Sequence, residues 1–188
     1  MAYPGYGSPP GGWQPSAPPP GMDPFYQYFS AVAGADGQIS VSELQRCLNS
    51  LNWTQFSEST CQIMISMLDR DRSGQMGYNE FKELWPVLQQ WRGTFVRLDT
   101  NKSGYIEAAE LGNALRGFGY NVSPQFVNLV LLKFDYETRS RLNLDQFVMA
   151  LIMLRGLTDA FRKRDVSQSG QASFAYDEFM SEAIYHKP

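Results

Sequence analysis

The chain has 188 residues and a net charge of −3, from sixteen basic and nineteen acidic side chains. That balance gives no basic surplus for nucleic acid, and two cysteines do not make a disulfide framework. No apolar run approaches the roughly 20 residues of a membrane span.

Residues 1–24 hold eight of the eleven prolines, five glycines and Asp23 as the sole charge. Such a segment buries too little apolar surface to offset its ordering entropy, which predicts a disordered Pro/Gly/Tyr-rich tail with polyproline character. It lacks the charged and apolar regions of a signal peptide, and the few cysteines agree with a reducing cytosol. Residues 25–188 suffice for one all-α unit with a continuous core. Cys47 and Cys61 fall on the apolar faces of amphipathic helices and read as core positions.

The first loop is Ala33-Gly34-Ala35-Asp36-Gly37-Gln38-Ile39-Ser40-Val41-Ser42-Glu43. It is eleven residues long, and only Asp36 and Glu43 bring carboxylates. To hold a cation it needs backbone carbonyls, those of Ala33 and Gln38. Taken alone it reads equally well as a glycine-rich turn.

The second, Asp69 to Glu80, is more explicit. Asp69, Asp71, Ser73, the Gln75 carbonyl and Glu80 take positions 1, 3, 5, 7 and 12, with Gly74 at 6. Gly77 leaves position 9 to water. Ca²⁺ requires six to eight hard oxygens at about 2.3–2.6 Å, and this spacing supplies them. The third loop, Asp99 to Glu110, is the fullest. Asp99, Asn101, Ser103 and the Tyr105 carbonyl reach inward, Glu107 acts through a water, and Glu110 gives two oxygens. Gly104 permits the sharp turn. Two full ligand sets at motif spacing make a plain polar surface loop the poorer reading.

In the fourth loop, Asp135 to Gln146, Leu142 fixes the register. Arg139 then stands at position 5, Ser140 replaces the glycine and Gln146 the bidentate glutamate, so this loop is expected to be structural. The fifth starts at Asp165 and reaches Glu178 two residues late. Asp165, Ser167 and Ser169 offer a weak site at most.

Loop starts at 33, 69, 99, 135 and 165 are separated by 36, 30, 36 and 30 residues. A 30-residue interval leaves about 18 residues between loops, one shared helix of roughly 27 Å. A 36-residue interval holds two helices and a break. Those breaks are expected at 49–57 and at 117–124, where Ser123 caps a helix and Pro124 opens it. Pro86 and Gly93 are expected to kink one shared helix, and Gly156 to weaken the other. Short strands at position 8 should pair Ile39 with Met76 and Ile106 with Leu142. Ala172 in the fifth loop is then left without a partner in its own chain, which points to a twofold dimer through that hand.

Five such hands, an eleven-residue first loop starting at Ala33 and a lengthened fifth loop resemble the penta-EF-hand family. The opening Met1-Ala2-Tyr3-Pro4-Gly5-Tyr6-Gly7, with Leu44-Gln45-Arg46-Cys47-Leu48 and Phe81-Lys82-Glu83-Leu84-Trp85, is similar to its sorcin and grancalcin branch. The hands then span about 25–48, 58–90, 91–117, 123–154 and 155–185. The resemblance implies a cytoplasmic Ca²⁺ sensor that exposes apolar surface, binds protein targets and moves reversibly to membranes. A passive Ca²⁺ buffer and a regulatory subunit resembling the calpain small subunit are the rival readings.

No phosphate-binding loop, nucleophile elbow or zinc pattern is present, and the single histidine, His186, sits at the chain end, so no enzyme is expected. The one basic cluster, Arg162-Lys163-Arg164, reads as a solvated last helical turn rather than a nucleic-acid contact. Met64, Met67, Met149 and Met153 fall at helical spacing, mostly as core.

Overall fold

The structure is a computed structural model that describes residues 24–34 and 36–185. The tail over 1–23, Ala35 and residues 186–188 with His186 lie outside the described residues. Pro24, assigned to the tail by composition, instead opens helix α1 (Pro24–Val32). There its fixed φ and missing N–H carry no penalty.

The described residues continue through α2 (Val41–Ser50), α3 (Glu58–Leu68), α4 (Tyr78–Leu98), β1 (Ile106–Glu107), α5 (Ala108–Gly117), α6 (Pro124–Phe134), β2 (Arg141–Leu142), α7 (Leu144–Arg164) and α8 (Tyr176–Tyr185). This is the expected all-α architecture, with loops between the helices. Local chemistry sets where helices begin. Ser40, Ser57, Ser123 and Asn143 each accept the backbone N–H three residues on, satisfying a donor that the first turn cannot. Both long helices run through their weak points without interruption: α4 through Pro86 and Gly93, α7 through Gly156. Asn49 and Ser50, read as part of a break, are the last turn of α2. The later break is a tight one. Gly119, at φ +85°, and Tyr120 return their N–H groups to Arg116 and Leu115, a helix end that requires a left-handed residue.

Loops meet in pairs at position 8. Ile39 and Met76 exchange two backbone hydrogen bonds of 2.9 Å, while Ile106 and Leu142 pair in the antiparallel β1–β2 ribbon. All four side chains are completely buried. Around them pack Leu44, Leu48, Met64, Phe81, Leu84, Phe134 and Phe147 in one continuous core. Phe95 of α4 meets Phe147 of α7 edge-on at 5.6 Å.

A polar bridge joins the two loop pairs. Asp145, buried in the first turn of α7, accepts the Ser57 N–H at 3.1 Å and its hydroxyl at 3.4 Å. Ser57 is itself the cap of α3, so one carboxylate serves two helix N-termini, where negative charge is favoured.

The cysteines divide. Cys61 is buried and Cys47 half-buried; both are free, and burial pushes their thiols up to about 12 and about 11. Neither carries thiolate at neutral pH. Met64 is core, but Met67, Met149 and Met153 are only half-buried and line an open groove of about 880 Å³ between α3, α7 and α8. Among the described residues no helix is long and apolar enough to cross a membrane.

Replacing Asp145 by Ala leaves the Ser57 N–H without its acceptor, and should lower unfolding free energy by about 1–3 kcal/mol in urea titrations. In a cycle with Ser57→Ala the two losses should fail to add; additive losses would show that the bridge is not a shared interaction.

Candidate metal centres

Every loop that starts with aspartate starts at a helix C-terminus. Asp69, Asp99, Asp135 and Asp165 donate their N–H groups to Ile65, Phe95, Leu131 and Phe161, closing α3, α4, α6 and α7. A carboxylate there faces the negative end of the helix dipole and needs compensation. The loops provide it in different ways.

In the second loop the Asp69 carboxylate accepts the N–H groups of Ser73 and Gly74, both at 2.9 Å. The Ser73 hydroxyl reaches the Gln75 carbonyl at 3.0 Å. Asp71 accepts Ser73 N–H at 3.0 Å, and hydrogen bonding from the Ser73 hydroxyl and N–H holds its carboxyl below the usual range. Glu80 folds back from position 12, with one oxygen on Gly77 N–H at 2.9 Å and the other on Arg70 N–H at 3.1 Å. Among the described residues, Asp69, Asp71 and Glu80 form a trio of acidic side chains with oxygens within 4.8 Å of one another. Three hard anionic donors beside a hydroxyl and a carbonyl fit Ca²⁺.

The third loop has the same internal web. Asp99 takes Ser103 and Gly104 N–H at 2.8 Å each, Asn101 takes Ser103 N–H at 2.9 Å, and the Ser103 hydroxyl reaches the Tyr105 carbonyl at 3.2 Å. Glu110 returns to Glu107 N–H at 3.1 Å. Positions 4 and 6 are left-handed in both loops, Arg72 and Lys102 at φ +58° and +54°, Gly74 and Gly104 at +73° and +78°. Glu107, expected at position 9, is exposed, and its backbone belongs to β1.

The first loop is built differently. Gly34 N–H crosses to the Gln38 carbonyl at 3.2 Å, and Asp36 accepts Gln38 N–H at 3.1 Å. The Ala33 N–H closes α1, donating to the Phe29 carbonyl at 2.8 Å. Glu43 is gripped by the Ser40 hydroxyl at 2.7 Å and its N–H at 2.9 Å, which lowers its carboxyl pKa. A Cβ on residue 34 would stand 2.7 Å from the other Glu43 oxygen. A side chain at residue 34 would therefore push the end of the Glu43 carboxylate aside. The Ser40–Glu43 capping box was not read from the sequence; S-x-x-E before an apolar run was the available signal.

In the fourth loop the first carboxylate is already engaged by the loop's own donors. Asp135, 4% exposed, accepts five hydrogen bonds: from the N–H groups of Glu137, Thr138, Ser140 and Arg141 and from the Thr138 hydroxyl. Its left-handed residue is Arg139, at φ +58°, one position later than in the second and third loops. Burial opposes the charge, but the Thr138, Ser140 and Arg141 donors outweigh it and hold the carboxyl far below the usual range. Sequence reading treated Asp135 only as the first position of a lost site; its role as the loop's lock was not seen. Thr138 at position 4 was the available clue.

The fifth loop repeats the first half of the web, with Ser169 and Gly170 N–H on Asp165 at 2.8 Å each. Ser167 reaches Asp165 only at 3.5 Å. Glu178 is engaged by Arg164 at 2.8 Å and by Ala175 N–H at 3.3 Å, which lower its pKa. Those contacts place Glu178 in the same capping position as Glu80 despite the two added residues.

Because the Asp135 pKa is lower folded than unfolded, its stabilisation is present above the ordinary carboxylate value of about 4 and is lost as pH falls below it. Asp135→Asn should cost about 2–3 kcal/mol at pH 7 in Ca²⁺-free urea titrations, since one oxygen becomes a donor facing donors. The cost should shrink steadily below pH 4. An unchanged cost down to pH 3 would show that ionisation of Asp135 is not what locks the loop.

Residues 35–87 match a family model described as an EF-hand domain pair, and residues 88–151 match a second of the same description. The chain is 48% identical to sorcin of Homo sapiens over 183 residues, 95% of this chain and 90% of sorcin. Grancalcin of Homo sapiens is 47% identical over 162 residues, 84% of this chain and 74% of grancalcin. A solved structure of a homolog of programmed cell death 6 protein from Leishmania major Friedlin superposes with a TM-score of 0.71 at 30% identity, over 87% of this chain and 94% of that one. Ca²⁺ is the ion of this fold, and the oxygen-rich loops suit it. The chain belongs to the penta-EF-hand family, in its sorcin- and grancalcin-like branch.

Proposed function

We propose that this protein is a cytoplasmic Ca²⁺ sensor that presents apolar surface to protein targets when its loops take up the ion. The ligands are Asp69, Asp71, Ser73, the Gln75 carbonyl and Glu80 in the second hand, with Asp99, Asn101, Ser103, the Tyr105 carbonyl, Glu107 and Glu110 in the third. The first hand uses Asp36, Glu43 and the Ala33 and Gln38 carbonyls. Bound Ca²⁺ supplies the positive charge that the carboxylates at the helix C-termini lack.

One observation carries this reading. A cleft of about 270 Å³ between α1, α2 and α4 is lined by Tyr28, Cys47, Leu51, Phe81 and Trp85, and by Glu43 itself. Two of its three walls, α2 and α4, are the exit helices of the first two loops. Phe81 follows Glu80 directly, and Trp85 lies about one turn further along α4. Any shift of Glu43 or Glu80 towards its loop therefore moves a wall of the cleft. An apolar peptide segment is the occupant such a lining suits. The same opening would support reversible membrane association.

The fifth hand supports the expected dimer. Helix α8 buries none of its side chains, and Tyr176, Phe179, Ile184 and Tyr185 are exposed together with Val166 of its loop. A second copy covers that surface in a homodimer; a larger chain would cover it in a regulatory subunit.

Glu80→Gln should weaken one Ca²⁺ site on the order of tenfold or more, read by calorimetry, and reduce the Ca²⁺-dependent fluorescence of an apolar dye. Ion uptake by the unmodified chain with no dye response would make it a buffer. Light scattering should give twice the chain mass; a monomer that dimerises only with another chain would establish the regulatory-subunit alternative.

A further inference from the structure

The fourth loop touches the third at a position the loop pattern does not specify. Arg141 lies opposite Glu107 in the β1–β2 ribbon, and its guanidinium carbon sits 4.0 Å from the centre of the Tyr105 ring. Tyr105 is half-buried, and its carbonyl is the position-7 oxygen that accepts from Ser103. The backbone of Arg141 is fixed in turn, its N–H donating to Asp135 at 3.2 Å. A chain of contacts thus runs from the locked carboxylate of one loop to a carbonyl of the other.

We propose that Arg141 is a positioning residue for the third calcium site: stacked on Tyr105, it holds the Tyr105 carbonyl turned into the loop. The inference rests on the reading above that this carbonyl is a ligand. Two effects of Arg141 oppose each other. A cation near the site repels Ca²⁺ through space, while the stack orders a ligand before the ion arrives. The guanidinium is exposed, so its charge is screened by water and salt. The stack is direct and short, and cation–π contacts of this kind hold at exposed sites. Ordering therefore prevails, and removing Arg141 weakens binding rather than strengthening it.

The test isolates the third site in a chain carrying Glu43→Gln and Glu80→Gln, and measures Ca²⁺ affinity by calorimetry. Arg141→Leu should weaken it about twofold to fivefold. The same change should do nothing further once Tyr105→Leu is present, and Arg141→Lys should restore part of the loss. In the Ca²⁺-free protein, Arg141→Leu should also speed amide exchange at Tyr105, Ile106 and Glu107. Tighter binding, or equal weakening with and without the tyrosine ring, would overturn the proposal. Glu110→Gln is the control. If it leaves the affinity unchanged, the ligand assignment for this loop is wrong; if it abolishes binding while the Arg141–Tyr105 cycle shows no coupling, only the positioning role falls.

Discussion

The pairing of loops through position 8 is the constraint on which the other features depend. Ile39 with Met76 and Ile106 with Leu142 place four completely buried side chains at the centre of two helix pairs. Each such side chain contributes about 2 kcal/mol by leaving water, but the register matters more than the sum. A one-residue slip would turn these side chains to solvent and dislocate every ligand counted from them. The second and third loops are therefore held at their midpoints by the core, while their two ends, carrying Asp69, Glu80, Asp99 and Glu110, remain near water. A site built this way can change its ends without losing its middle.

Within that frame, the loops differ in how they neutralise an acid at the wrong end of a helix. Asp69 and Asp99 are each met by two backbone N–H groups and a serine hydroxyl, an incomplete set that leaves oxygen capacity for a cation. Asp135 is met by five donors and is nearly sealed from solvent. With five donors on its two oxygens, Asp135 has little acceptor capacity left for a cation.

Much of this was legible in the residues. Position counting located the loops, their register and the apolar pairs, because Gly74, Gly104 and the acidic spacing follow from ion and turn chemistry. The cap at Ser123 was read the same way; those at Ser57 and Asn143 rest on the same local side-chain chemistry but were not read. What escaped were contacts between distant segments. The Asp145–Ser57 bridge spans 88 residues; Arg141 over Tyr105 and the Tyr28–Phe81–Trp85 cleft likewise depend on tertiary placement, which no local period encodes. Pro24 and the end of α2 were misjudged by a residue or two because caps and composition compete at helix ends. Half-burial of Cys47, Met67, Met149 and Met153 was also beyond a periodic reading, since a helix face gives direction but not what covers it.

The two long helices decide how the hands communicate. Helix α4 begins two residues before Glu80 and ends at the residue before Asp99, so one rod of roughly 31 Å links the last position of the second loop to the first of the third. Helix α7 bears the same relation to Gln146 and Asp165. An α-helix bends reluctantly, and α4 is also pinned by Phe95 against Phe147 near its far end. Reorienting Glu80 must either rotate the whole rod or bend it, and Pro86, with no N–H for the helix ladder, marks where bending is easiest. In the first case Asp99 moves and the two sites are energetically linked; in the second, motion stops short of Trp91 and Phe95, and only the cleft at Phe81 and Trp85 responds. The proline sits between Trp85 and those residues, and this position favours a local response at the cleft over a concerted one along the helix.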